Sequence, residues 1–396
     1  MAKKKAAGKT VTNNPSAAPA PKSPKSDQMR EPAEVRYRDQ LEALRQNDDT
    51  TPPEGWNLSP KAVLHYIVGG KALKADIDGK KVNVEITRKF FGDDALVERA
   101  IVTLASERAL LLVGEPGTGK SWLSEHLAAA ISGNSTLTIQ GTAGTTEEHT
   151  KYSWNIARVI AEGPTPHNLI PSPTMIAMRN AALLRFEEVT RCVPDVQDSL
   201  VSILSDKAIA IPELPDANMV WAKRGFNIIA TANSRDQGVN ELSAALKRRF
   251  NYIHIPIIAD QKTEVEIVQK RSAELIEQYN LPVKINPPII TMLATVFREI
   301  RNGRSSEGVS VKQPSTTLST AEAIGVALDA ALHAKFFGSG TVQPSDVARN
   351  MVGSIVKEDQ ADLAVLKEYV TIVAKKRSRT DKAWKEFHDS ILASLK

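Results

Sequence analysis

The chain has 396 residues, room for two domains and a tail, and 42% of them are hydrophobic, enough to bury a large core. Cys192 is the one cysteine, which excludes an intrachain disulfide; no Cys/His set has zinc spacing, and the apolar runs fall short of a membrane span. The formal charge of +5 sits mostly in residues 1–30, where seven Lys and Arg face one acid, Asp27, so nucleic acid is not expected as a partner except through that basic segment.

The opening MAKKKAAGKT has no apolar stretch behind its charges and does not read as a signal peptide, so a cytoplasmic location is expected. Residues 1–50, rich in Lys, Ala, Pro, Ser and Asn, read as a disordered basic tail. Residues 51–90 read as an accessory element: a helix entered at Ser59-Pro60, then a β-hairpin in which 75–77 and 82–86 alternate around Asp78-Gly79. Phe90 and Phe91 precede a helix over 94–106; apolar residues just upstream of a phosphate loop often face a nucleotide base, but Phe91 reads first as core packing.

The apolar run 109–113 is the pattern of a parallel strand buried on both faces. It leads into Gly114, Glu115, Pro116, Gly117, Thr118, Gly119, Lys120 and Ser121, which fit G-x-x-x-x-G-K-[ST] and precede a helical pattern through Leu123, Leu127 and Ile131. Each residue type has a use at a phosphate site. The glycines let backbone NH groups approach an anion, Lys120 brings a point charge, and the Ser121 hydroxyl is a ligand for Mg2+.

Beyond it, 136–140 reads as a strand and 147–162 as a helix ending at Gly163-Pro164. The proline-rich 164–180 reads as an exposed insertion without regular structure. The strand from 181 ends in Glu187 and Glu188, matching a metal-holding acid followed by a base that activates water. Glu187 is one methylene longer than the aspartate usual at the metal position. A further buried strand, 226–233, ends in Asn233, placed to orient water or sense the γ-phosphate. Arg248 and Arg249, before the strand 252–257, are candidates for a guanidinium that stabilises the transferring phosphoryl group, Arg249 first. From 260 onward the chain reads as helices, with the basic cluster Lys375, Lys376, Arg377 and Arg379 on a solvated face.

Taken in this order, the glycine-rich loop, the acidic strand end, the Asn-tipped strand, the paired arginines and the C-terminal helices resemble an AAA+ ATPase over roughly residues 90–360. Glu187-Glu-Val-Thr-Arg191, followed by Val193-Pro-Asp-Val-Gln197, resembles the MoxR-type, dynein-related branch. The resemblance implies an α/β fold: an AAA+ αβα nucleotide-binding domain with a parallel sheet over 91–258, followed by a helical lid and C-terminal helices over 259–396. It makes Gly114 to Ser121 the Walker A loop for ATP, Ser121 and Glu187 the Mg2+ ligands, Glu188 the base, Asn233 sensor 1, Arg248 or Arg249 the finger, and Arg191 a reach toward a neighbouring subunit. A sensor-2 arginine is missing from the matching stretch, 314–322. The family implies a homo-oligomeric ring, usually a hexamer, acting as a chaperone or remodelling factor on a client or adaptor protein, such as one with a von Willebrand factor A domain. A nucleic-acid motor and a slowly hydrolysing, nucleotide-gated scaffold are the alternatives.

Overall fold

The computed structural model describes residues 28–215, 218–234, 240–314, 317–357 and 360–395, so most of the basic segment lies outside the described residues. The described chain opens with α1 (Ala33–Arg36), α2 (Arg38–Gln46), α3 (Pro60–Val68) and an antiparallel hairpin of β1 (Ala72–Ile77) and β2 (Lys80–Glu85). The disordered tail expected up to residue 50 does not hold for residues 33–46. There Ala33, Tyr37, Leu41 and Leu44 recur at helical spacing, and all four are buried in one core with α3. A composition averaged over fifty mostly polar residues hides that stripe. α3 starts as its sequence predicts, with Ser59 capping the Ala62 amide and Pro60 in the first turn.

α4 (Asp94–Leu104) leads into β3 (Ala109–Gly114), α5 (Lys120–Ser132) and β4 (Thr138–Gln140). The single helix expected over 147–162 is broken into α6 (Glu147–Thr150), β5 (Tyr152–Trp154) and α7 (Ile156–Glu162). The proline-rich stretch is likewise ordered: β6 (Leu169–Pro171) pairs with β5, and α8 (Pro173–Arg179) buries Met175, Ala177 and Met178. Its prolines punctuate structure rather than forbid it, since Pro173 sits in the first turn behind the capping Ser172. β7 (Leu183–Glu187), α9 (Pro194–Asp206), the hairpin of β8 (Ala208–Ala210) and β9 (Met219–Trp221), β10 (Asn227–Asn233), α10 (Ala244–Lys247) and β11 (Phe250–Ile255) complete the α/β domain.

Five strands form one parallel sheet in the order β11-β3-β10-β7-β4. β3 is apolar throughout because each of its faces meets a separate core. Leu110 and Leu112 pack with residues of α3, α4 and α5, while Ala109 and Leu111 pack with residues of α8 and α9. Register sets Gly114 opposite Asn233 and Gln140 opposite Glu187, which gathers the carboxyl ends of four strands at one edge.

The helical part is α11 (Gln261–Gln278), α12 (Pro287–Asn302), α13 (Thr320–Phe336), α14 (Pro344–Ile355), α15 (Gln360–Tyr369), a π-helical turn Val370–Ala374, α16 (Lys375–Arg377) and α17 (Lys382–Ser394), built around its own core. Among the described residues no helix is long and apolar enough to cross a membrane. Arg377 is not on a solvated face. Its side chain is 13% exposed, pairs with Glu299 and Glu307 at 2.7 Å each, and stacks 4.6 Å over the Trp384 ring. Its hydrogen bonds draw the Glu307 carboxyl down to about 2.

Arg377→Ala leaves Glu299, whose side chain is 5% exposed, without its counter-charge, and is expected to lower stability by roughly 3 kcal/mol in chemical denaturation. Arg377→Lys recovers part of the loss, because an ammonium cannot reproduce the two-pronged pairing.

Candidate active site

Between β3 and α5 the chain turns through Gly117 (φ +74°) and Gly119 (φ +87°), left-handed backbone that glycine adopts without strain. Gly119 is the N-cap of α5, so the loop and the positive end of a thirteen-residue helix converge on one point. Lys120 Nζ donates to the carbonyls of Gly114 (3.0 Å) and Glu115 (2.8 Å), which keeps its charge at the loop.

Glu187, the last residue of β7, is 4% exposed and ties this helix to the sheet. Its Oε2 accepts from Ser121 Oγ at 2.6 Å and from Thr231 Oγ1 at 2.8 Å; its Oε1 accepts from Ser124 Oγ at 2.6 Å and from Arg185 at 2.9 Å. Burial pushes the carboxyl up, but Arg185 and the three hydroxyls outweigh it and leave Glu187 below the ordinary carboxylate range. The Ser121 hydroxyl and the Glu187 carboxylate are hard oxygen donors, the kind Mg2+ takes in company with substrate phosphates. Among the described residues no cluster of three or more His, Cys, Asp or Glu offers an all-protein metal cage.

Glu188 follows in left-handed backbone (φ +55°, ψ +45°), a conformation disfavoured for a side-chain-bearing residue. The strain is held by neighbours. The Glu188 amide donates to Thr231 Oγ1 at 2.9 Å, and the loop after β4 crosses the turn at Gly141, where a Cβ would stand 2.4 Å from the Glu188 carbonyl oxygen. The Glu188 carboxylate pairs with Arg191 Nε at 2.6 Å, within the same chain. Asn233 ends β10 beside Gly114, and the next amide, Ser234, donates to the Gly114 carbonyl.

Arg248 and Arg249 lie elsewhere. They precede Phe250, which pairs with Ala109 at the amino end of β3, whereas the loop leaves its carboxyl end. Five residue steps of strand separate the two, roughly 17 Å. Arg249, favoured from the sequence, is held by Ser205 Oγ and by the Ala245 carbonyl (2.6 Å), whereas Arg248 is exposed and its side chain has no polar partner among the described residues. The sheet therefore brings together the loop, Glu187, Glu188 and Asn233, and holds both arginines away.

Two features went unread in the sequence. A cavity of about 570 Å³ opens beside Thr118, lined by Arg88, Phe90, Phe91, Ile257 and Asp260. Phe91 is half-buried there, on the wall of a space adjoining the phosphate loop. On the other side, α13 begins against the loop: a Cβ at Gly117 would overlap Ser319. No arginine comes from 317–322, but Arg301 of α12 lines the same cleft, bound to both oxygens of Glu264 at 2.9 and 2.8 Å.

Residues 109–250 match the model of the AAA domain, dynein-related subfamily, and residues 262–392 match the C-terminal domain of YehL-like AAA+ ATPases. YehL of Escherichia coli K12 is 43% identical over 350 residues, which cover 88% of this chain and 93% of YehL. This chain belongs to the YehL-like AAA+ ATPases. The branch is the MoxR-type, dynein-related one that Glu187 to Arg191 suggested, and the family binds nucleotide and is generally oligomeric. The gas vesicle ATPase GvpN of Haloferax mediterranei is 27% identical over 177 residues, 41% of this chain and half of GvpN. Among solved structures, NtrX of Brucella abortus in complex with ADP aligns with a TM-score of 0.44 and 14% identity over 77% of this chain and 64% of that one.

Thr231 serves both acids of this YehL-like site, so Thr231→Val, nearly equal in volume, is expected to lower stability by about 1–2 kcal/mol in urea unfolding. Because the folded pKa of Glu187 is depressed, its ionic contribution is complete above the ordinary value of 4.5 and is lost as pH falls through the lowered value. Glu187→Gln is expected to flatten that acid segment of the stability curve, read from denaturation midpoints between pH 6 and about pH 3.

Proposed function

We propose that this protein is a Mg2+-dependent ATP hydrolase working as a ring, which converts hydrolysis into motion between the sheet domain and the helical lid and so remodels a partner protein. The observation that carries this reading is the 2.6 Å contact of Ser121 with Glu187, with Glu188 as the next residue. That contact supports reading Ser121 and Glu187 as the cation-binding pair and Glu188 as the base around one phosphate loop.

In this mechanism the loop amides from Gly114 to Gly119 and the Lys120 ammonium bind the β- and γ-phosphates. Ser121 and Glu187 would hold Mg2+, which would neutralise phosphate charge when bound. Glu188 takes a proton from water as the oxygen attacks the γ-phosphorus, the bond to the β-bridging oxygen breaks, and ADP and phosphate leave. Asn233 orients that water. Phe91 and the cavity beside Thr118 receive the base. The strand-length separation of Arg248 and Arg249 from their own loop supports a role at a neighbouring protomer's γ-phosphate, with Arg248 favoured as the unshared guanidinium. A near-neutral folded part supports a protein client over nucleic acid; an adaptor with a von Willebrand factor A domain is one such partner.

One observation favours a second reading, a nucleotide-gated scaffold: Arg191 occupies the Glu188 carboxylate at 2.6 Å. In that case ATP drives assembly without turnover.

Purified protein is expected to hydrolyse ATP only with Mg2+, and Glu188→Gln to slow turnover about a hundredfold or more while still binding nucleotide and assembling. Assembly with ATP but no wild-type turnover, with or without a partner, selects the scaffold. Arg248→Ala is expected to be similarly slow. Mixing it with Glu188→Gln should restore part of the activity, because some interfaces then combine an intact Glu188 with an intact Arg248; no recovery on mixing assigns the arginine to its own protomer.

A further inference from the structure

β7 is an interior strand of the sheet, between β10 and β4, and Leu183, Leu184 and Phe186 obey the apolar rule for such a strand. Arg185 breaks it. An arginine here needs partners, and each of its three nitrogens has one: Nε donates to Ser124 Oγ (3.0 Å), one terminal nitrogen to the Ser135 carbonyl (2.9 Å), and the other to the Ser121 carbonyl (3.2 Å) and Glu187 Oε1 (2.9 Å). Two residues apart on one strand, Arg185 and Glu187 share a face, the one against α5. Their side chains are 11% and 6% exposed. The guanidinium thus fastens the first turns of the phosphate-loop helix to the acid it faces.

We propose that Arg185 is a positioning residue for the nucleotide–metal site, supplying a resident counter-charge to Glu187. This rests on the reading of Ser121 and Glu187 as the Mg2+ ligands. A lone buried carboxylate beside a hydroxyl attracts a divalent cation whether or not nucleotide is present. With Arg185 at 2.9 Å from Oε1, the pair is neutral overall, and Oε2, bonded to Ser121, is the oxygen that would share a cation with that hydroxyl. The site then lacks the net negative charge to hold Mg2+ alone. The cation is retained once the phosphates bring their own charge, so metal and nucleotide load together. The arrangement also accounts for a glutamate at this position. Its longer side chain reaches two sets of donors, Ser121 and Thr231 on one oxygen, Ser124 and Arg185 on the other.

The test is Mn2+ binding to the full-length, nucleotide-free protein, followed through the electron paramagnetic resonance signal of free Mn2+. Wild type is expected to bind weakly, and Arg185→Met and Arg185→Gln at least about tenfold more tightly, because both remove the charge and the second keeps hydrogen-bond donors. Arg185→Lys, which keeps the charge, should stay near wild type. The gain must vanish when Glu187→Gln is added to Arg185→Met. In the Met and Gln variants the carboxylate keeps Ser121, Ser124 and Thr231 as donors, and unchanged circular dichroism is expected. The proposal is overturned if both neutral variants bind Mn2+ no better than wild type, if Lys behaves as they do, if the gain survives the added Glu187→Gln, or if neither neutral variant folds, since Arg185 would then be structural. The underlying reading fails separately. If wild type binds a fluorescent ATP analogue no better with Mg2+ than with EDTA, Ser121 and Glu187 are not a nucleotide-linked cation site, whatever the arginine variants do.

Discussion

One buried carboxylate governs the nucleotide face of this molecule. Glu187 hydrogen-bonds the phosphate-loop helix, through Ser121 and Ser124, and the neighbouring strand β10, through Thr231, at the same time. A buried carboxylate with no partners would be protonated or would unfold its surroundings; with four donors it is a fixed negative charge. The placement of everything else follows from satisfying it. Thr231 must face it from β10, which by alternation turns Asn233 to the same side two residues on, at the strand tip. α5 must bring its first turn down to it, which fixes where the glycine loop opens.

The same helix is gripped from behind by the amino-terminal element. His126, on α5, is fully buried, and burial followed by nearby Lys89 and Arg271 holds it well below its usual pKa, so it stays neutral beside the Tyr66 hydroxyl at 3.0 Å. Trp122, next to Ser121, donates its indole NH to the Lys89 carbonyl at 2.8 Å and carries Arg271 of α11 at 3.7 Å from its ring centre. One aromatic side chain of the phosphate-loop helix therefore touches both residues 33–90 and the C-terminal helical part. Lys270 of α11 extends the contact by donating to the Arg88 carbonyl at 2.8 Å. Residues 33–90 thus touch both the phosphate-loop helix and the C-terminal helical part, and help to bury His126.

What the sequence made legible follows from how local each signal is. The phosphate loop, the two glutamates and the Asn-tipped strand are read from contiguous residues, and the parallel sheet follows from apolar runs that admit no solvent face. α1 and α2 were missed because Pro and Lys nearby dominate the composition, although Ala33, Tyr37, Leu41 and Leu44 mark a helical stripe. α8 is hidden in the sequence because a proline in a proline-rich stretch reads as a breaker, whereas Pro173 is a first-turn residue. Thr231 and Arg185 could have been noticed as polar side chains in otherwise apolar strands. Their partners could not: Thr231 meets Glu187 through the pairing of β10 with β7, and Arg185 meets Ser124 and Ser135 through the packing of α5 and its following loop on the sheet.

The position of the paired arginines limits the contacts they can make within their own chain. Parallel strands put both ends of β3 and β11 in step, so a residue before Phe250 is as far from Gly114 as Ala109 is. Arg108 confirms the geometry by donating to the carbonyls of Arg248 and Phe250 at that same amino edge. An arginine side chain reaches roughly 7 Å, less than half the length of the strand it would have to pass. Neither Arg248 nor Arg249 can approach its own loop without dismantling the sheet. A guanidinium at that edge meets a phosphate only if the phosphate is brought to it by another molecule. An exposed Arg248 beside an Arg249 held by Ser205 is then one arm extended from a fixed base.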